Sequence, residues 1–289
     1  HLGVRRQRQM CIRDRICIVH LILIKKMIEH FKKFDDGDKS LLPLSFSHLN
    51  EFAFYRERWA LRRIFGYEFP TSASAIRGQA VESGLNMVLN GISIEEASLK
   101  MLDEYDDNCS RITDSKIEEE RNNLVPLLDL GAKTFQHYAF RWQLLDYQKK
   151  VELEIEGVPL IGYTDFHFED KNSKEDFFID LKTSKNMPST ISISHAMQQA
   201  IYHKATNSRQ ILWYLKNPTK TKDAEFNSLS LEDYQTPLKI CHHIIKAMSN
   251  FLKNVNSKEE VRDILIPNPD NWIWKEETVQ EARKEVWGY

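Results

Sequence analysis

Apolar and polar positions in the second half of the chain predict a small β-sheet. Apolar residues alternate with polar ones over Leu160–Phe168, and a continuous apolar run covers Phe177–Leu181. Both patterns favour strands, and the segment DKNSKED between them has the composition of a turn, so the two strands are predicted to be antiparallel neighbours. Alternation over Lys150–Ile155, followed by Gly157, predicts a further strand that forms a hairpin with the first of them.

Helical spacing and capping residues predict helices on both sides of these strands. One helix begins after Ser45 or Ser47, and a second covers Thr71–Asn90, with its start in Ser72–Ser74 and its end at Gly91. Further predicted elements are the helix Ser93–Asp107 with a capping box to Glu96, one or two helices in Asp114–Tyr147 interrupted near Pro126 and Gly131, the strands Arg209–Leu215 and Glu225–Leu231, the helix Leu231–Asn254 and short helices within 258–289. The predicted fold is α/β, a mixed central sheet flanked by helices.

Length and composition are compatible with one large domain. The chain has 289 residues, of which 42% are hydrophobic, and a net charge of -2. A nucleic-acid-binding protein with this charge needs local basic patches, an encircling oligomer or a partner. Four cysteines without CxxC spacing indicate free thiols and a reducing, cytoplasmic context.

The first 26 residues differ from the remainder. They begin with the basic string HLGVRRQRQMCIRDR, and the apolar run Ile16–Ile24 has nine residues, against about 20 needed to span a bilayer. We expect residues 1–26 to be a non-native or disordered segment and the natural protein to begin near Met27; an ordinary N-terminal helix or strand is the alternative. Residues 27–289 are then expected to form a single domain with a helical insertion at about 93–147.

The second predicted strand carries an acid and a lysine on one face. Because side chains alternate across a strand, Asp180 and Lys182 project from one face and Leu181 from the other. If the hairpin register brings Asp165 alongside, two carboxylates and an ammonium group converge, which suits a hard divalent cation, Mg²⁺ or Mn²⁺. An acid-x-Lys pair on a strand is also commonly a solvated face. The segment Phe34–Ser40 does not match a phosphate-binding P-loop, so no nucleotide is expected.

Two helices carry further polar residues at helical spacing. Gly78 and Glu82 are four residues apart and share a face, and a small residue one turn from an acid leaves room for a metal or phosphate. Gln198 and Tyr202 share a face of the helix that follows the acid-x-Lys strand. The simpler readings are a surface glutamate for Glu82 and core packing for Tyr202.

These residues occur in an order that resembles the RecB-like branch of the PD-(D/E)XK nuclease superfamily. The family pattern is RGxxxH or RGxxxE, then GxxD, then (D/E)xK, then QxxxY, and the matching residues are Arg77, Gly78 and Glu82, Gly162 and Asp165, Asp180 and Lys182, and Gln198 and Tyr202. The resemblance covers roughly residues 45–215. Many members have histidine in place of Glu82, although glutamate keeps an oxygen ligand suited to Mg²⁺.

The resemblance implies a restriction-endonuclease-like core and a role for each motif residue. Asp165 and Asp180 are expected to be direct metal ligands, with Glu82 directly or through water and the Leu181 carbonyl as further ligands. Lys182 is expected to position the attacking water and stabilise charge. Gln198 and Tyr202 are expected to place the DNA strand or the water. Candidate DNA contacts are Arg77, Thr183, Ser184, Lys185 and, on the first helix, Arg58 and Arg62 beside Arg56 and Arg63, for which a solvated helix face is the alternative.

The leading functional prediction is a Mg²⁺-dependent DNA exonuclease, resembling stand-alone phage enzymes of recombination, replication or repair, in which Mn²⁺ can substitute. The alternatives are a structure-specific or restriction-type endonuclease and a catalytically inactive DNA-binding subunit. Some RecB-like nucleases carry a four-cysteine iron-sulfur cluster, but Tyr55 lies near the first expected cysteine, so no cluster is predicted. Besides DNA, a single-strand annealing protein and a homo-oligomer are the partners considered; no membrane association is expected.

Overall fold

The predicted strands form a mixed sheet in the middle of the chain. The computed structural model describes residues 24–35 and 40–289. Within them five strands lie in the order β1-β2-β3-β4-β5, with β2–β3 antiparallel, β3–β4 parallel and β4–β5 antiparallel. The strands are β1 (Trp142–Ile155), β2 (Val158–Asp170), β3 (Asp176–Ser184), β4 (Arg209–Lys216) and β5 (Glu225–Ser230).

Helices precede, interrupt and follow the sheet in sequence. They are α1 (24–32), α2 (Phe46–Phe54), α3 (Arg56–Ala60) continuing into a π-helical turn (Leu61–Phe65), α4 (Ala73–Leu89), α5 (Ile94–Cys109), α6 (Ile117–Asn122), α7 (Leu124–Tyr138), α8 (Ile193–Thr206), α9 (Gln235–Lys253), α10 (Lys258–Ile264), a 3₁₀ turn (Trp272–Lys275) and α11 (Glu277–Trp287). Ser45, Ser72 and Ser93 are the N-caps of α2, α4 and α5, as their sequence positions predicted.

A hydrophobic core covers one face of the sheet. Apolar residues of α4, α5 and α7 pack there against alternate residues of β2, β3 and β4. The ring of Phe135 on α7 lies 4.3 Å from that of Trp213 on β4, centroid to centroid. Ile179 and Leu181 of β3 belong to this core, so the strand period directs Asp180 and Lys182 to the other face.

The chain divides into two compact units. The sheet unit comprises Pro70–Val151 and Gly162–Leu238, and the terminal unit comprises the described residues up to Phe69 together with Glu152–Ile161 and Lys239–Tyr289. The expected single domain over 27–289 stays a prediction. Residues 1–23 of the anomalous N-terminal segment, including Cys11 and Cys17, and residues 36–39 of the predicted loop lie outside the described residues.

The prediction that the helical segment continues to Tyr147 was wrong. Helix α7 ends at Tyr138, and β1 begins at Trp142, well before the predicted start of that strand at Lys150. Two consecutive exposed residues, Leu145 and Asp146, break the apolar alternation of β1 and obscure the strand pattern. Pro126 lies in the first turn of α7, where a missing N–H group costs no helical hydrogen bond, so it does not interrupt the helix.

Two other predicted boundaries also differ. The segment after Ser45 is not one continuous helix, because Tyr55 adopts a non-helical conformation between α2 and α3. Helix α9 begins at Gln235 and not near Ser230, since the preceding residues hold the turn in which Asp233 accepts a hydrogen bond from Gln235 N.

Cys109 and Cys241 are buried free thiols. The predicted lack of an iron-sulfur cluster stays a prediction. None of the helices in the described part of the chain has the length and apolar character needed to cross a membrane.

Candidate active site

Strand β3 places an acid and a lysine side by side. Lys182 Nζ lies 2.5 Å from Asp180 Oδ2, and the two side chains are 25% and 3% exposed. Alternation along the strand creates this pair, because residues two apart project from the same face. The other carboxylate oxygen, Asp180 Oδ1, accepts a hydrogen bond from Gln198 Nε2 at 3.1 Å.

The hairpin register brings the second acid to the same place. Phe166 pairs with Ile179 across β2 and β3, so Asp165 stands beside Asp180. Asp165 Oδ2 accepts a hydrogen bond from the Leu181 N–H at 2.7 Å, which fixes its carboxylate against β3. The convergence of Asp165, Asp180 and Lys182 that the alternation predicted is therefore present.

Helix α4 contributes Glu82 to the edge of this cluster. The helix is capped by Ser72 and packs against β3, where Gly78 is close enough to Thr183 that a Cβ would lie 3.3 Å from its Oγ1. One turn further along, Glu82 Oε1 accepts a hydrogen bond from Gln148 Nε2 at 3.2 Å. The Glu82 carboxylate interacts electrostatically with Asp165 and Asp180, and these interactions contribute to the raised pKa values of Glu82 and Asp165.

Helix α8 contributes Gln198 and Tyr202 to the site. Tyr202 is buried, and its hydroxyl donates to the Tyr163 carbonyl at 2.9 Å. Gln198 on the same face donates to Asp180 and lies 3.4 Å from the Tyr202 hydroxyl. Gly162 lies against the Tyr202 ring, so the two motif residues are in direct contact.

Burial and the neighbouring charges of the cluster change the pKa values of Asp165, Glu82 and Lys182. Burial, followed by the charges of Asp180 and Glu82, raises the pKa of Asp165 well above its ordinary value. Burial also raises the pKa of Glu82. Burial alone would lower the pKa of Lys182, but the Asp180 and Asp165 carboxylates outweigh it and raise that pKa. Lys182 is therefore a protonated ammonium group at neutral pH.

Arg77 points into the protein and not towards solvent. Its side chain is 3% exposed and forms an ion pair with Glu120, which is fully buried. Arg77 Nη2 also donates to Thr183 Oγ1 at 3.0 Å, and Ser74 Oγ donates to Glu120 at 2.8 Å. The structure does not place Arg77 where it could contact DNA, because buried charges of this kind are engaged with each other.

The other candidate DNA contacts are also engaged within the protein. Ser184 Oγ donates to the Asn186 carbonyl, and half-exposed Lys185 pairs with Glu119. Arg58 lies between Glu51 and Glu276, at 3.8 and 3.6 Å, and Arg62 lies 3.7 Å from Glu51. Arg58 and Arg62 belong to the terminal unit, whereas Asp165, Asp180 and Lys182 belong to the sheet unit.

Two groups near the cluster were not found from the sequence. Gln148, the partner of Glu82, has a φ of 50° inside β1, two residues after the break in alternation at Leu145 and Asp146. His195 Nδ1 lies 2.7 Å from the Tyr214 hydroxyl, and the pKa of His195 is lowered by burial and then by the Lys182 charge. A signal for His195 was its position in the first turn of α8, three residues before Gln198.

The residues fit a hard divalent cation. Asp165, Asp180 and Glu82 bring carboxylates close together with Lys182 beside Asp180, and burial together with their mutual repulsion raises the pKa values of Asp165 and Glu82. Carboxylate oxygens are the ligands that Mg²⁺ prefers. Over residues 24–35 and 40–289, no group of three or more His, Cys, Asp or Glu side chains is arranged to hold a metal ion; Lys182 lies against Asp180, and Glu82 accepts a hydrogen bond from Gln148. The ligand set stays a prediction.

The fold and the site together define the class of protein. An acid pair beside a lysine on a mixed α/β sheet is suited to phosphodiester hydrolysis with a divalent metal ion. A family model described as the PD-(D/E)XK nuclease superfamily matches residues 43–272. The chain therefore belongs to the PD-(D/E)XK nuclease superfamily, and the predicted restriction-endonuclease-like α/β fold is confirmed. Membership supports a nuclease that acts on DNA with divalent metals such as Mg²⁺.

Two other comparisons add less. A solved structure described as "Crystal structure of SSO0001" is 16% identical, with a TM-score of 0.33, and the match covers 80% of this chain and 86% of that chain. No curated protein matches the chain.

Proposed function

We propose that this chain is a metal-dependent DNA exonuclease that hydrolyses phosphodiester bonds from DNA ends, in the manner of stand-alone phage enzymes of recombination, replication or repair. The observation that carries the proposal is the meeting of Asp165, Asp180 and Lys182 at one place on β2 and β3. Superfamily membership supports the nuclease part. The exonuclease part rests on the resemblance of the four motifs to stand-alone RecB-like enzymes and on the compact size of the chain.

In this proposal the metal ligands are Asp165, Asp180, Glu82 and the Leu181 carbonyl. A divalent cation, when bound there, would acidify the attacking water and neutralise phosphate charge. The protein prepares its own ligands for this, because the Leu181 N–H orients the Asp165 carboxylate and the Gln198 amide orients that of Asp180. Hydrogen bonds to metal ligands of this kind fix their direction.

Lys182 acts as a fixed positive charge. Since the two aspartates hold it protonated, it attracts the phosphate and stabilises the negative charge that develops on it, and it does not act as a general base. Its place beside Asp180 keeps this charge within reach of the scissile group. Tyr202, whose hydroxyl is bonded to the Tyr163 carbonyl, holds α8 and Gln198 in position and does not take part in chemistry.

The test uses linear and covalently closed circular DNA of the same sequence, incubated with the purified full chain and Mg²⁺ or EDTA. End-labelled linear DNA is expected to shorten from its ends with Mg²⁺ while the circle stays intact. Cleavage of the circle would identify an endonuclease. A wild-type chain that binds DNA but cuts neither substrate with Mg²⁺ or Mn²⁺ would identify an inactive DNA-binding subunit.

Matched variants separate catalysis from binding. Asp180→Asn and Lys182→Met are expected to lower the rate by at least about 10²-fold, with DNA binding in EDTA retained. Lys100→Ala is the control, since Lys100 is an exposed residue of α5 paired with Glu96 on the surface. An equal loss of activity in all three variants would contradict the assignment.

A further inference from the structure

A cavity of about 470 Å³ lies in the terminal unit. Its volume is in the range that small-ligand pockets occupy. The residues of its lining that matter here are Arg62, Arg63, Tyr67, Glu68 and Phe69. None of the roles derived for the aspartate and lysine cluster involves this cavity.

The local backbone brings two adjacent arginines to one cavity. Arg62 and Arg63 lie in the π-helical turn that continues α3, and the turn ends at Gly66, whose φ is +86°. In an α-helix consecutive side chains diverge by about 100°. A π-helical turn is wider, and such turns are frequent at functional sites.

Arg63 carries a charge that the described residues leave without a direct partner. It makes no hydrogen bond or ion pair with them, and its Nε is buried and unsatisfied. The nearby carboxylate of Glu51 lies 3.8 Å from Arg58 and 3.7 Å from Arg62, so one acid faces several guanidinium groups. An unpaired, partly buried guanidinium group is costly, and an anion in the cavity would relieve that cost.

The remaining lining is compatible with an anion that has several oxygen atoms. The Arg62 guanidinium lies over the Phe69 ring, 5.4 Å from its centroid, and its Nη1 lies 3.7 Å from Glu51, so part of its N–H edge faces the cavity without a close partner among the described residues. Burial and a hydrogen bond to Glu285 raise the pKa of Tyr67 to about 12, so Tyr67 is a neutral phenol at the cavity. Glu68 is an exposed carboxylate in the lining and opposes anion binding.

We propose that this cavity binds a phosphate group of the nucleic-acid strand, with Arg63 as the main donor and Arg62 as the second. Two guanidinium forks match the geometry of phosphate oxygens, which makes arginine the side chain best suited to this ligand. The inference rests on the proposed function. It assigns the contact to Arg63 and Arg62 and excludes Arg58, which does not line the cavity and pairs with both Glu51 and Glu276.

The test measures binding of a 3′-labelled single-stranded oligonucleotide to the full chain by fluorescence anisotropy in EDTA, over a series of salt concentrations. Arg63→Gln is expected to weaken binding about 5- to 10-fold and to reduce the salt slope by about 1. Glu68→Gln is expected to tighten binding, since it removes a negative charge from the lining. The control is Lys100→Gln, which removes an exposed charge of α5 that pairs with Glu96 on the surface, and it is expected to change affinity less than about 2-fold.

The oligonucleotide is used with a 5′-phosphate and with a 5′-hydroxyl group. Loss of a 5′-phosphate preference in Arg63→Gln would support a terminal phosphate as ligand, and equal weakening of both oligonucleotides would support a phosphate within the strand. Arg63→Lys, which keeps the charge but loses the fork, should bind with intermediate affinity and guards against a folding defect in Arg63→Gln.

The inference is overturned if Arg63→Gln binds as tightly as wild type, or no more weakly than Lys100→Gln. If Arg63→Gln shows no such loss of affinity but the wild-type chain cuts DNA, the proposed function stands and only the cavity assignment fails. If the wild-type chain neither binds nor cuts DNA, both fail.

Discussion

At the scale of single residues, the acids of the site work against stability. The pKa of Asp165 is raised by burial and by the charges of Asp180 and Glu82, so its ionised form costs folding free energy at neutral pH. The Leu181 N–H compensates part of that cost. The proposed function therefore requires a carboxylate charge that the fold alone would not favour.

Asp165→Asn is expected to raise the metal-free unfolding free energy by about 1 kcal/mol and to abolish nuclease activity. Asparagine keeps an oxygen for the Leu181 N–H but removes the repulsion from Asp180. Urea unfolding in EDTA and an activity assay in Mg²⁺ measure the two effects. Lys182→Met is the comparison with the opposite effect: it is expected to lower the unfolding free energy, because it leaves the Asp180 carboxylate without its ion-pair partner. An Asp165→Asn protein that is less stable than wild type would refute the repulsion argument.

Arg77 and Glu120 allow a second prediction at this scale. Burial raises the pKa of Glu120, but the hydrogen bond from Ser74 and the Arg77 charge outweigh it, and the resulting pKa is lowered. Arg77→Met is therefore expected to destabilise the protein by about 3–5 kcal/mol, since it leaves a buried carboxylate unpaired. Thermal and urea unfolding measure the loss.

The double variant Arg77→Met with Glu120→Leu distinguishes a structural role from DNA contact. If the pair is structural, adding Glu120→Leu should restore much of the stability and activity that Arg77→Met loses. DNA contact by Arg77 would instead leave affinity for DNA equally low in both variants. The sequence could not indicate the pair, because its two members are 43 residues apart and neither position has an unusual local pattern.

At the scale of elements, the contact between β2 and α8 explains two motif residues at once. A Cβ on Gly162 would lie 2.6 Å from Tyr202 Cε1, well inside van der Waals contact. Position 162 in β2 therefore requires glycine, because the Tyr202 ring on α8 leaves no space for a Cβ atom. The helix in turn presents Gln198 to Asp180.

Gly162→Ala is expected to destabilise the protein by about 1–3 kcal/mol and to reduce activity, because the Tyr202 ring must move and carry α8 with it. Unfolding and nuclease assays measure both. Tyr202→Phe keeps the ring and loses one hydrogen bond, so a smaller effect is expected. Gly162→Ala combined with Tyr202→Leu should lose less than the sum of the single changes; simple additivity would argue against the clash.

Helix α2 contains a group whose protonation weakens the fold. His48 Nδ1 accepts a hydrogen bond from the Ser45 N–H at 3.2 Å, and burial followed by the Arg63 charge lowers the pKa of His48 from 6.5 to about 4. Between these two values the unfolded chain binds a proton that the folded chain does not. Stability from this group is therefore full above pH 6.5 and falls as the pH is lowered towards 4.

Between pH 6.5 and 4 the unfolding free energy of wild type is expected to fall as the pH is lowered. His48→Gln is expected to reduce this fall by up to about 1.4 kcal/mol for each pH unit. Glutamine can accept the same hydrogen bond in a capping box without titrating. Urea unfolding between pH 4 and 7.5 measures the difference. His137→Gln, which changes an exposed histidine of α7, is the control, and identical pH curves for His48→Gln and wild type would contradict the prediction.

At the scale of the whole molecule, binding of a divalent cation is expected to stabilise the folded chain. A ligand at 100 times its dissociation constant adds about 2.7 kcal/mol to the unfolding free energy. Mg²⁺ should therefore raise Tm, EDTA should reverse the rise, and Asp165→Asn should remove most of it. Thermal unfolding at constant ionic strength measures this; an equal rise in wild type and variant would place the cation elsewhere.

The sequence by itself determined the local features of this protein. Strand alternation placed Asp180 beside Lys182, and serines marked the starts of α2, α4 and α5, because these depend on backbone geometry over a few residues. The hairpin pattern made Asp165 a candidate neighbour, and the strand register decided that it lies there. Tertiary structure alone decided that Arg77 lies inside against Glu120, that Gln148 holds Glu82 and that Arg62 and Arg63 share a cavity. Those pairings depend on how distant segments pack, and no periodicity along the chain encodes them.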